Sequence, residues 1–128
     1  MSDKTVWEQA FDHLEAKGFD VYSPGTHEGE CLEPYIVLMR SGSNKHNSFS
    51  TNVDYYDVLI YVPKLKYSKV DGLVSMVKSA MTGLEPMILP AGIEQPTTYD
   101  DDVKAHMVSI MYKNYKYMRT KIREQGGL

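Results

Sequence analysis

Residues 53–62 have the sequence VDYYDVLIYV, in which β-branched and aromatic residues predominate. This composition favours a β-strand, whose successive side chains point to opposite faces. One face then has Tyr56, Val58, Ile60 and Val62, and the other has Tyr55, Asp57, Leu59 and Tyr61. Large apolar side chains on both faces are typical of a central strand, or of a strand that another subunit covers.

A second strand is predicted upstream at residues 35–40 (YIVLMR), and the two strands would form a hairpin. Their connection, residues 41–52 (SGSNKHNSFSTN), is polar and longer than most hairpin loops. Such a segment buries too little apolar surface to order itself, so we expect an assembly loop that is flexible in the isolated subunit. Phe49 is either a local packing anchor or, with Lys45, a contact to a partner.

Two amphipathic helices are predicted on either side of the hairpin. Residues 5–8 (TVWE) fit a capping box, and apolar residues then recur at helical spacing as far as Leu14, with Gly18 as the stop. Residues 68–71 (SKVD) open the second helix in the same capping-box style, and an apolar stripe continues to Leu84.

The segment 103–118 fits either a helix or a strand by periodicity, and its β-branched and tyrosine-rich composition favours a strand. Shorter strands are predicted at residues 19–22 and 87–89. The order of elements predicts an α+β fold, with two helices packed on a small antiparallel or mixed sheet. A chain of 128 residues is the size of one domain, and we expect residues 119–128 to form a flexible tail.

The composition excludes several classes of protein. With 42% hydrophobic and 24% charged residues, the chain is expected to fold around a core. Its net charge of −3 argues against general affinity for nucleic acid or for anionic membranes. The N-terminal residues run directly into an amphipathic segment, so we expect neither a signal peptide nor a membrane anchor.

The sequence has no complete set of catalytic or metal-binding residues. His27 and Cys31 are spaced like two metal ligands, but zinc requires three or four, and nothing orients a base toward the cysteine. Asp100, Asp101 and Asp102 lack the alternating pattern of a calcium loop, which favours a solvated acidic turn. Nucleotide-binding glycine motifs and the G-x-S-x-G elbow are absent. We therefore expect no enzyme activity, no cofactor and no metal.

Basic and aromatic residues interleave near the C-terminus. They are Lys104, Lys113, Lys116, Arg119, Lys121 and Arg123, with Tyr112, Tyr115 and Tyr117. Such a pattern can follow a phosphate backbone and stack on bases, which makes a small nucleic-acid-binding accessory protein the alternative function. The same residues would also suit a strand edge that lysines protect from unwanted pairing.

Residues 56–84 (YDVLIYVPKLKYSKVDGLVSMVKSAMTGL) and 97–118 (TTYDDDVKAHMVSIMYKNYKYM) resemble the tail-terminator or neck (head–tail joining) proteins of tailed phages and prophages. The order of predicted elements matches from Val6 to Tyr117. A short motif, Tyr99-Asp100-Asp101, precedes the last strand. The length of residues 41–52 departs from the families' pattern.

The resemblance implies a non-enzymatic, homo-oligomeric ring, usually a hexamer, which terminates the tail tube and joins it to the head. The expected partners are further copies of the chain, the tail tube protein and the head connector or neck protein, with a non-specific DNA contact in the ring lumen as a further option. The expected location is the tail or neck of a virion assembled in the bacterial cytoplasm. A phage, a prophage and a tail-like bacteriocin all remain open as sources. The candidate interface residues are Lys45, Phe49, Tyr55, Tyr61, Lys113 and Tyr115.

Overall fold

The structure is a computed structural model that describes residues 4–45 and 52–115. These residues form two α-helices and six strands. In chain order the elements are α1 (Val6–Ala16), β1 (Val21–Tyr22), β2 (Tyr35–Lys45), β3 (Asn52–Pro63), α2 (Val70–Met81), β4 (Leu89–Glu94), β5 (Thr98–Asp100) and β6 (Ala105–Tyr115). Two 3₁₀ segments, Lys64–Lys69 and Thr82–Leu84, precede and follow α2. The α+β class predicted from the sequence is confirmed.

The strands form one mixed sheet in the order β1-β2-β3-β6-β4, and β5 also pairs with β6. The central strand, β3, is antiparallel to both of its neighbours, with Ile60 opposite Ile36 of β2 and Val108 of β6. The short β1 runs parallel to β2, which makes the sheet mixed. The last segment is therefore a strand over Ala105–Tyr115, as its composition predicts.

Both helices pack against one face of the sheet. On the sheet side, Val58, Ile60 and Val62 of β3 are at most 1% exposed. The helices contribute buried residues at three- and four-residue intervals, which are Val6, Ala10 and Leu14 of α1 and Val70, Val74, Val77 and Met81 of α2. The hydrophobic core thus lies between the helices and one side of β2, β3 and β6.

The two helices begin differently. At α1 the predicted capping box is confirmed: the Glu8 N–H donates to Thr5 Oγ1 at 3.0 Å, and the Thr5 N–H donates to Glu8 Oε1 at 2.8 Å. The capping box predicted for the second helix is wrong, because the N-cap residue is Lys69 and it makes no side-chain cap hydrogen bond. The chain enters α2 from a 3₁₀ segment, whose Tyr67 carbonyl oxygen already accepts the Val70 N–H.

The hairpin strands are longer than the sequence predicts. β2 continues to Lys45 and β3 begins at Asn52, so both ends of the predicted loop, residues 41–52, are strand. Pairing resumes after a bulge between Arg40 and Gly42, and Ser43 then lies opposite Asp54. The backbone N–H and C=O groups of this polar segment can pair with β3 whatever its side chains are, so the segment extends the strand. The remainder, residues 46–51, lies outside the described residues.

The shorter strands also differ from their predicted positions. β1 begins at Val21 rather than Phe19, and β4 spans Leu89–Glu94 rather than residues 87–89. The Ile88 side chain is buried in the core, and its N–H donates to the Leu84 carbonyl oxygen at 3.2 Å, so the chain is still turning there. The strand begins only after that turn.

Candidate assembly surface

Alternate side chains of β2, β3 and β6 point away from both helices. Two registered rows cross these strands, and both consist of half-buried residues. The rows are Val37, Leu59 and Ser109, and Met39, Asp57 and Met111. We call these six residues the open face. Uncovered faces of antiparallel sheets usually present polar side chains to water, whereas four of these six are apolar. Of the four, Val37 packs against a smaller buried cluster of the same chain.

Asp57 lies at the centre of the second row, with Met39 and Met111 in register on either side. Its Oδ1 atom is buried and has no hydrogen-bond partner among the described residues. Burial raises the pKa of the Asp57 carboxyl, and a hydrogen bond with Ser41 acts in the opposite direction. A buried carboxylate oxygen without a partner is costly, so a donor or cation from another molecule would stabilise this row.

Tyr61 continues the same alternation, but other aromatic rings cover it. Its ring stacks on Tyr35 with 4.7 Å between the centroids, and Tyr35 stacks on His27 at 3.7 Å. Tyr35 is buried with Cys31 and Ala105 in a second, smaller cluster. Packing within the chain therefore already uses one side of the Tyr61 ring, although the sequence places it among the interface residues.

Three other candidate interface residues lie together near the hairpin. Tyr55 of β3 is opposite Lys113 of β6, and Lys113 Nζ lies 5.1 Å from the ring centroid of Tyr115, a cation–π distance. All three side chains are half-buried. Lys45 is opposite Asn52 in the backbone pairing, and Phe49 lies outside the described residues.

A polar network at the base of the hairpin was not identified from the sequence. Asp54 is only 4% exposed, and it accepts hydrogen bonds from Arg40 at 3.2 Å and from the Ser43 hydroxyl. Arg40 also donates to the Ser43 hydroxyl at 2.7 Å. Asp54 occupies the core-facing alternation of β3, and a charge there predicts a buried partner. That signal was available in the strand pattern.

The residues considered for metal or nucleophile chemistry are engaged in packing and turns. The Cys31 thiol donates to the Glu33 carbonyl oxygen at 3.3 Å, and burial raises its pKa to about 11. Asp100 Oδ1 accepts the Asp102 N–H at 2.9 Å, which is the geometry of an acidic turn. No group of three or more histidine, cysteine or acidic side chains able to hold a metal occurs in residues 4–45 and 52–115.

Only part of the basic, tyrosine-rich C-terminal segment lies within the described residues. Tyr112 is buried in the core, so its ring is not available to stack on a base. Lys104 makes an ion pair with Asp101 at 3.2 Å. The residues from Lys116 onward lie outside the described residues.

Two comparisons with known proteins found no relative. A scan against protein-family models gave no match, and a search of curated proteins gave none either. Within the described part of the chain, none of the helices has the length and apolar character needed to cross a membrane.

Proposed function

We propose that this chain is a non-enzymatic structural protein of a tailed phage or prophage, which forms a homo-oligomeric ring. By the resemblance of its sequence, the ring has six copies, terminates the tail tube and joins it to the head connector. The observation that supports this most strongly is the open face. Its apolar rows, and the Asp57 oxygen that has no hydrogen-bond partner among the described residues, suit a surface that a neighbouring protein covers in the assembled tail.

The outer edge of the hairpin also supports assembly. β1 pairs with β2 only at Ile36 and Val37, and within the described residues no strand pairs with the outer edge of β2 beyond Val37. The unpaired backbone groups of such an edge can accept a strand from another chain. An assembly protein can use this edge, whereas an isolated monomer has to protect it.

A role without catalysis is supported by the state of the best nucleophile candidate. With its pKa raised to about 11, the Cys31 thiol is protonated near neutral pH and is a weak nucleophile. The thiol is also buried, and it donates a hydrogen bond to the carbonyl oxygen of Glu33, shortly before β2. Its role is therefore packing of the second cluster with Tyr35 and Ala105.

The proposal is tested by inactivating the gene in a producing phage or prophage. We expect electron micrographs of the lysate to show heads and tail tubes that are not joined. The wild-type chain supplied in trans should restore joined particles. Normal joined particles without the protein would contradict the proposed function.

A further inference from the structure

Leu65 is the most exposed large hydrophobic residue in the described part of the chain, at 92%. It lies in the 3₁₀ segment Lys64–Lys69, which has the sequence KLKYSK and contains three lysines. Lys66 lies 3.8 Å from Glu33, and no ion pair involves Lys64 or Lys69 among the described residues. An exposed leucine alone is unremarkable in a soluble protein, but this one is surrounded by positive charge.

The backbone that presents Leu65 is fixed to β6. The Lys64 N–H donates to the Lys104 carbonyl oxygen at 3.1 Å, and His106 Nε2 lies 3.0 Å from the Lys64 carbonyl oxygen. The rings of Tyr67 and His106 meet edge to face with 4.7 Å between centroids. A backbone held this way loses little freedom on binding, which favours the use of its exposed leucine as an anchor.

A cleft of about 400 Å³ lies at the other end of α2, between that helix, β4 and β6. Its apolar lining includes Pro90, Ile93, Ile110 and Tyr112. Its charged residues are Lys78, Glu85 and Glu94, and Lys78 is paired with Glu94 at 2.6 Å. Because no ion pair involves Glu85 within the described residues, the rim has a net negative charge.

The pKa of Tyr112 is consistent with a negatively charged rim. Burial, followed by the charges of Glu94 and Glu85, raises the pKa of Tyr112 to about 12. The tyrosine hydroxyl therefore remains protonated, and the cleft combines an apolar lining with a negative potential. That combination complements an apolar side chain with lysines on either side of it.

The exposed leucine and the cleft cannot meet within one chain. α2 has 12 residues and rises about 1.5 Å per residue, so roughly 18 Å separate its two ends. Leu65 precedes the first turn of α2, whereas Lys78 and Thr82 line the cleft at its end. A contact between them must join two copies through different surfaces, and such a heterologous contact produces a ring when the rotation between successive copies closes.

We propose that Leu65 of one copy inserts into the cleft of the next copy, with Lys64 and Lys66 beside Glu85 and Glu94. This inference rests on the proposed function, because it names the contact by which the ring would form. The leucine supplies the apolar anchor, and the charges fix the direction in which successive copies join.

Three variants of the full chain test the contact by native mass spectrometry. Leu65→Glu removes the anchor, and Ile93→Lys places a positive charge in the cleft at a residue that is 44% exposed. Met76→Glu is the matched control, because Met76 lies on α2 between the two sites and is 59% exposed. We expect the first two variants to shift from the oligomer mass to the monomer mass. The control should keep the wild-type oligomer mass, and all three should keep the melting temperature of the wild-type monomer when they are compared at a dilution at which the wild type is also monomeric.

Mixing the two defective variants provides the most specific result. Leu65→Glu keeps an intact cleft and Ile93→Lys keeps an intact leucine, so the mixture should form a heterodimer that does not grow further. Charge reversal adds a second check: Lys64→Glu with Lys66→Glu should weaken assembly, and Glu85→Lys should restore it in part.

The outcomes separate this contact from the proposed function. A wild-type oligomer that persists in either Leu65→Glu or Ile93→Lys would overturn the contact and leave the ring in place, with another occupant for the cleft. Two monomeric variants whose mixture forms no heterodimer would also overturn it. A wild-type chain that is monomeric at every concentration would contradict the proposed ring itself.

Discussion

The helix-covered face and the open face of the sheet share the strand β3 but differ in how deeply their side chains are buried and in which partners those side chains contact. On the covered face, Val58 and Ile60 are at most 1% exposed and contact the apolar residues of the helices. On the open face, Leu59 and Asp57 are half-buried, and one carboxylate oxygen has no partner among the described residues. Folding of the single chain explains the first face, whereas the second has the properties that we expect of a surface that contacts another protein.

The largest expected effect separates two adjacent residues of β3. Ile60→Ala should lower the free energy of unfolding of the monomer by about 2–5 kcal/mol, because it leaves a cavity in the core. Leu59→Ala should cost less than half as much, since water already reaches its side chain. Urea denaturation of both variants measures the difference. Equal losses would mean that the open face is packed as tightly as the core.

A second comparison uses the two carboxylates of β3. Asp54→Asn removes the charge from a buried residue that accepts hydrogen bonds from Arg40 and Ser43, and should cost about 1–3 kcal/mol. Ser43→Ala serves as the smaller control, with an expected cost of about 0.5–1.5 kcal/mol. Denaturation at neutral pH provides both values. An unchanged stability for Asp54→Asn would show that this network does not hold the hairpin.

Replacement of Asp57 by asparagine should stabilise the monomer, whereas the same replacement at Asp54 should destabilise it. Burial raises its pKa in the folded state, so the folded monomer binds its proton more tightly than the unfolded chain does. Stability is then lost as the pH rises from the ordinary aspartate pKa of about 3.9 to the higher folded-state value. Asp57→Asn removes that loss and should raise the stability of the monomer at neutral pH by at most about 1 kcal/mol, because solvent screens a half-buried group.

The gain from Asp57→Asn should disappear in acid, where the wild-type carboxyl is protonated in both states. Unfolding free energies of the two proteins, compared at neutral and at acidic pH, measure this dependence. A variant that is less stable than the wild type at neutral pH would show that the monomer already satisfies Asp57.

The smallest expected effect concerns the end of the sheet where Cys31 packs with Tyr35 and Ala105. The pKa of the thiol rises from 9.0 to about 11, which lowers the thiolate fraction near neutral pH by about 100-fold. We expect a thiol reagent to label the native protein slowly and the urea-unfolded protein rapidly. The double variant Cys31→Ser/Leu32→Cys places the thiol at an exposed neighbour and should react rapidly in both states. Fast labelling of native Cys31 would show that this cluster is open.

Local signals in the sequence were sufficient for part of the fold. The capping box at Thr5 and Glu8 fixes the start of α1, and the alternation of apolar residues identifies β3 and β6. The predicted capping box at the start of α2 is wrong, and the three-residue strand β5 was not predicted. The start of α2 depends on the preceding 3₁₀ segment, and β5 depends on pairing with β6, in which Asp100 lies opposite Ala105.

The candidate surface was predictable to a similar extent. The sequence predicts Tyr55, Lys113 and Tyr115 as interface residues, and the structure places the three close together. The sequence did not show that Tyr61, unlike these three, is covered by rings of its own chain, because those rings come from distant parts of the sequence. The sequence also did not show that Asp57 Oδ1 has no hydrogen-bond partner within residues 4–45 and 52–115, since composition does not show which donors lie within reach of a carboxylate.

The central claim, that this protein works by assembling with copies of itself, is tested most directly by the native mass of the full, tag-free chain over a wide range of concentration. We predict one closed oligomer of fixed copy number, six by the resemblance to tail-terminator and neck proteins, which dissociates to monomer only on dilution. A chain that stays monomeric at every concentration would contradict the account.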